Sequence, residues 1–185
     1  MKNINLNTLI AFLIGIAIAY LYTEFYVNSS EVGNNGNATI NHDHNTNENY
    51  SANVKIAQKF MQLHEVEDLE SQISMLSDDL IHEPPRYGSE LQDKDGFIND
   101  VKGYQDNFEN MNFTPTYWLP GSDSLGNLNG SVRVYGVWTA THTPTQKGIT
   151  LRSYHYWDFD ENGLIIQVGD YFDATGMMMS LTSDE

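Results

Sequence analysis

The chain opens with an almost unbroken apolar run from Leu6 to Val27, crosses an asparagine-rich tract from Asn28 to Tyr50, and only then shows the regular apolar periods of a folded domain. Between Asn53 and Glu65 the apolar positions Val54, Ala57 and Met61, with Ile56, Phe60 and Leu63, recur at threes and fours, which predicts a helix with one broad buried face. Leu69, Ile73 and Leu76 keep the period and predict a second, short helix over 69–76. Residues 78–82 read as a short extended piece, stopped by Pro84-Pro85, and a loop runs on to about Gln92. Asp93 is placed to cap a third helix, whose Phe97, Val101, Tyr104 and Phe108 share one face.

Four stretches rich in β-branched and aromatic residues follow: Phe113 to Leu119, Ser131 to His142, Ile149 to Phe159 and Leu164 to Phe172. Turn signals at Pro120-Gly121-Ser122-Asp123, Pro144 to Gly148 and Asp160-Glu161-Asn162-Gly163 separate them, and Ala174 to Leu181 reads as a closing helix. Helices first and a meander after predict an α+β domain over 51–185, with the helices packed on one face of a curved antiparallel sheet. The tract 28–50 has too few apolar groups to offset the entropy of ordering it and is expected to be a disordered linker.

Residues 1–27 read as a transmembrane anchor or signal segment. A bilayer span needs about 20 apolar residues, and Tyr20, Tyr22, Phe25 and Tyr26 suit its interfacial belt. Lys2 on one side against an acidic chain on the other predicts a single-pass protein of the cell membrane, with its domain extracytoplasmic. The alternative is cleavage at Ala17-Ile18-Ala19, which would leave the domain secreted or periplasmic.

Charge and composition narrow the partners. Twenty-five acidic residues against nine basic ones give a net charge of −16, which repels phosphate backbones and excludes nucleic acid as a partner. The absence of cysteine excludes disulfides, thiolate metal sites and a cysteine nucleophile. The histidines are scattered and no helix presents His-x-x-x-His, so neither a metal nor a cofactor is expected.

Alternation along the strands sorts the remaining candidates. If His142 pairs with Ile149 and Phe159 with Leu164, one face carries Trp138, Ser153 and Asp170 in a row, then Gly136, His155 and Val168, then Val134, Trp157 and Ile166. That more apolar face is the expected interior; the opposite one carries Arg133, Arg152, Tyr135, Tyr154, Tyr156, Asp158 and Tyr171. Asp170 is then a carboxylate among valine, isoleucine and tryptophan, with His155 diagonally adjacent, a pairing from which a general acid or base could be built. Trp118, Trp138, Trp157 and Tyr104, with Ser153 and His142, are the expected lining of a pocket for a small apolar or aromatic ligand. His82, beside the Pro-Pro turn, is a further titratable candidate, and Met177-Met178-Met179 suits helix packing or a pocket lid.

The order of elements, with Trp157-Asp158-Phe159-Asp160-Glu161-Asn162-Gly163-Leu164-Ile165 followed by Gly169-Asp170-Tyr171-Phe172-Asp173, resembles the nuclear transport factor 2-like superfamily in its SnoaL-like branch, over about Asn53 to Leu181. The resemblance implies a cone-shaped fold around a deep apolar pocket, usually in a homodimer. Gly169 to Asp173 also resembles the Arg-Asp-Tyr-Phe-Asp strand of limonene-epoxide hydrolases, but Gly169 stands where their arginine would be, and Val137-Trp138-Thr139 lacks the charges of their upstream Arg-x-Asp. Epoxide hydrolysis by that set is therefore not expected. Two functions remain: a membrane-tethered module that binds a small ligand or dimerises, and, as the alternative, a proton-transfer enzyme of isomerase, cyclase or hydratase type with Asp170 as general base.

Overall fold

The computed structural model describes residues 44–183; the apolar run at 6–27 and most of the asparagine-rich tract lie outside the described residues. Helix α1 (His44–Glu65) begins inside the stretch expected to be linker. Its extra turns have tertiary support in Tyr50, which packs on the core, and at the expected start of the helix Asn53 Nδ2 donates to the Gly130 carbonyl at 2.9 Å. Helix α2 (Leu69–Ser74) is capped by Asp68, whose Oδ1 accepts from the Ser71 amide at 3.1 Å. Strand β1 (Leu76–Glu83) leads into helix α3 (Lys94–Asn107), which Asp93 caps by accepting from the Gly96 amide at 2.9 Å. Strands β2 (Phe108–Ser122), β3 (Leu128–His142), β4 (Gly148–Phe159) and β5 (Ile165–Phe172) and helix α4 (Ala174–Thr182) complete the order. No helix among the described residues is long and apolar enough to cross a membrane.

The five strands form one sheet in the order β1-β5-β4-β3-β2. The meander β2 to β5 is antiparallel as the turn signals predict, but β1 runs parallel to β5, so the sheet is mixed rather than antiparallel. A parallel neighbour needs a crossover, and everything from α3 to β4 supplies it. That pairing brings His82 beside Val168, one strand from β4.

Both hairpins pair two residues away from the expected register. Trp138 faces Leu151, Gly136 faces Ser153 and Val134 faces His155. Across the next pair, Ser153 faces Phe172, His155 faces Asp170 and Trp157 faces Val168. A two-residue slip keeps every side chain on its face, so the interior set survives while its rows are rearranged. The β3–β4 loop is tighter than expected because Gln146 takes a left-handed conformation (φ 58°) and its amide donates to the His142 carbonyl at 2.8 Å. In the second hairpin, Asp160 N–H donates to the Leu164 carbonyl at 2.9 Å, and a bulge then skips Ile166. The bulge turns Ile166 outward, 36 % exposed, and gives its interior place to the fully buried Ile165.

The core lies between this interior face and the helices. Phe60 and Met61 of α1 and Phe97 and Val101 of α3 close over Val134 and Trp157 of the sheet. Each such side chain contributes about 1.5–3 kcal/mol by leaving water. On the outer face Tyr117, Tyr135, Tyr154 and Tyr171 stand in register across four strands. Beside them Arg133 bonds Asp158 at 3.1 Å and lies 4.7 Å over the Tyr156 ring.

Candidate ligand-binding site

Between the sheet and α1 and α3 the core opens into a cavity of about 110 Å³. Its walls are mostly apolar and aromatic, with Phe60, Phe97, Tyr104, Trp138, Trp157 and Phe172 among them. One region is polar, built by the β4–β5 hairpin and by β1, which is distant from both in sequence. Asp170 of β5, its side chain 22 % exposed, is held from both sides: His155 Nδ1 lies 2.5 Å from Oδ1 and His82 Nε2 lies 3.1 Å from Oδ2. His155 is its direct cross-strand partner; His82 reaches it from the parallel edge strand.

The hydrogen-bond partners fix where the protons sit. Trp138 Nε1–H donates to His155 Nε2 at 3.1 Å, and an indole nitrogen can only donate, so Nε2 must offer its lone pair. The proton of His155 is therefore on Nδ1, directed at Asp170, while Ser153 Oγ, 2.9 Å from the same Nε2, supplies a second donor. On the other side His82 Nδ1 faces Gln92 Oε1 at 2.8 Å. With Gln92 at one nitrogen and Asp170 at the other, both ends of the His82 ring are engaged. The backbones of His82 and Gln92 exchange two further bonds, at 2.8 and 2.9 Å, which pinch the intervening loop and hold the ring in place.

Burial pushes the Asp170 carboxyl upward, but the hydrogen bonds from the two imidazoles, His155 first, outweigh it and hold it well below the usual carboxylate range. Asp170 is thus an ionised acceptor at neutral pH, with two oxygens bonded once each and lone pairs to spare. Two other titratable groups share the cavity. Burial lowers His64 to about 4, against a smaller upward pull from Asp170, so this imidazole is neutral, set edge-on to Trp138 at 5.3 Å. Burial, then the nearby Asp170 charge, pushes Tyr104 up to about 12 and keeps its hydroxyl protonated.

Of the side chains expected at the site, Asp170, His155, Trp138, Trp157 and Tyr104 line the cavity. Ser153 lies beneath it, bonded to His155. Trp118 does not line it and stacks on Trp157 at 6.2 Å, while His142 sits at the end of β3, with Nδ1 2.8 Å from Thr145 Oγ1 and its ring 5.2 Å from Phe108. His64, Gln72 and Arg86 line it without having been picked out in the sequence. His64 had a signal, because it falls four residues after Phe60 and three after Met61, on the buried side of α1. No three His, Asp or Glu side chains among the described residues converge as metal ligands would.

The glycine preceding Asp170 has a local reason. A side chain at Gly169 would collide with the Tyr156 ring, so the arginine of the epoxide-hydrolase strand has no room here.

Comparison with known proteins agrees with this architecture. The SnoaL-like domain family matches residues 57–168, ending two residues before Asp170. No curated protein matches the sequence. Among solved structures, the chain is similar to a nuclear transport factor 2-like protein of unknown function from Burkholderia pseudomallei (20 % identity, TM-score 0.57, 71 % of this chain and 98 % of that one). It is also similar to AclR, a putative hydroxylase from Streptomyces galilaeus (14 %, 0.59, 71 % and 96 %), and to a putative SnoaL-like polyketide cyclase from Shewanella putrefaciens (13 %, 0.57, 70 % and 85 %). At these identities the likeness is one of fold: helices packed on a curved, mixed sheet of the nuclear transport factor 2-like kind. With the family matched over more than half its length and that fold around its cavity, this chain belongs to the SnoaL-like domain family.

Proposed function

We propose that this SnoaL-like domain binds a small, largely apolar molecule in its cavity and seats a hydrogen-bond donor of that molecule on Asp170. The observation that carries the reading is the state of the polar end: both nitrogens of His82 and of His155 are already engaged, and Asp170 is partly exposed with acceptor sites left. The apolar run at 6–27 supports tethering the domain outside the cell membrane. The test is titration of the full-length protein with phenols, followed by tryptophan fluorescence, since Trp138 and Trp157 line the cavity. Saturable quenching that Asp170→Asn weakens supports the reading; quenching indifferent to the variant sinks it.

A proton-transfer enzyme of isomerase, cyclase or hydratase type is the alternative. It draws support from the neutral His64 in the same cavity, a base already free of its proton at neutral pH. Asp170 itself is a weak base with so low a pKa, which is why binding is preferred. Turnover of an enolisable ketone that both Asp170→Asn and His64→Leu abolish would reverse the order. The in-register tyrosines of the outer face, a residue type enriched at association hot spots, support a homodimer through that face, testable by sedimentation of Tyr135→Glu.

A further inference from the structure

The cavity has a second polar end. Arg86 lines it from the loop after β1, and its side chain is 54 % exposed, which puts the guanidinium at the mouth while Asp170 lies farther in. It is the one lysine or arginine among the described lining residues. Two features hold the loop that carries it: Pro84-Pro85 stiffens the chain on one side, and the His82–Gln92 backbone pair closes the base. Among the described residues the guanidinium meets Asp100 of α3 through Nη2, at 3.3 and 3.5 Å, and its other nitrogens keep donors free there. Phe97, Val101 and Tyr104 of α3, beside Asp100, supply apolar wall.

A ligand matched to both ends has a donor at one end, an apolar body and an anion at the other. Resting on the pocket reading above, we propose that Arg86 is an anion subsite and that the ligand class is a small apolar carboxylic acid bearing a hydroxyl at its far end. The carboxylate sits on Arg86 at the mouth, the apolar body against α3, and the hydroxyl on Asp170. Asp100 orients the guanidinium. The chain's net charge of −16 opposes an anion at long range, but that field is screened within about 8 Å at physiological salt, whereas a contact with Arg86 is not.

The test compares three probes of one skeleton on the full-length protein by calorimetry: 3-(4-hydroxyphenyl)propanoate, its methyl ester, and tyramine. The expected order is acid over ester by about fivefold, as a half-exposed charge-assisted contact gives, with tyramine weakest. Arg86→Gln should remove the advantage of the acid and leave the ester unchanged, and Arg86→Lys should keep part of it. An acid no tighter than its ester, or an Arg86→Gln variant that weakens both alike, overturns the anion subsite while the pocket stands. Tyramine binding tightest overturns it in favour of Asp100. Failure of all three probes to bind the wild type removes the pocket reading, and this inference with it.

Discussion

Trp138 and Trp157 both line the cavity, yet their indole nitrogens have opposite fates: Trp138 Nε1 donates to His155, whereas Trp157 Nε1 is buried with no partner among the described residues. The same substitution should therefore cost unequal amounts. Trp138→Phe removes the donor that fixes the tautomer of His155 and leaves Nε2 with Ser153 alone; a loss of about 1–2 kcal/mol in urea denaturation is expected, with a change in the tautomer signature of His155 in nitrogen-15 spectra. Trp157→Phe deletes an unsatisfied buried donor, and a loss smaller than that of Trp138→Phe is expected despite deeper burial. Equal losses would mean that packing, not the hydrogen bond, sets both.

Asp170→Asn should cost about 1–3 kcal/mol, because the amide has a single acceptor oxygen for the two imidazole nitrogens that the carboxylate now joins. Folding depresses the Asp170 pKa, so the stability it contributes is present above the unfolded value of about 4 and is lost as pH falls below it. The gap between wild type and variant, followed by denaturation from pH 6 to 2, should narrow only in that acid range. A constant gap would show that the carboxylate is not held by the imidazoles.

His64 titrates in a different window. Its folded value is about 4, against about 6.5 unfolded, so between the two the unfolded chain binds the extra proton. Its contribution is complete above about 6.5 and drains away as pH falls toward 4. Replacing it by leucine should flatten that slope, which amounts to at most about 3 kcal/mol across the window. An unchanged slope would place the titrating histidine elsewhere.

Gly169→Ala drives a methyl group into the Tyr156 ring and should destabilise by about 1–3 kcal/mol. Pairing it with Tyr156→Ala should recover part of the loss, because the second change removes the obstacle. A double variant no better than the sum of the singles would point to backbone rather than ring as the source of strain.

Much of this site is written in local periods and could be found there. Alternation assigns Asp170, His155, Trp138 and Trp157 to one face, and a register wrong by two leaves that assignment intact. Who bonds whom is not local. The opposition of His155 to Asp170 depends on a turn at Asp160 and a bulge at Ile166, for which the chain carries no mark beyond Asp160-Glu161-Asn162-Gly163. The place of His82 depends on a parallel pairing with a strand more than eighty residues away, and nothing near Leu80 or Pro84 announces it.

The two-residue slip has a consequence for how such sites diversify. Burial rewards only the face a residue occupies, so it is blind to any even shift between neighbouring strands. The hairpins closed at Gln146 and Gly163 therefore act as tuning pegs: lengthening either by two residues would slide one strand along its neighbour and exchange the partners of Trp138 or Asp170 while the core keeps its composition. A lineage can in this way try new polar constellations inside an unchanged apolar shell, with the edits made in solvent-facing loops rather than in the cavity.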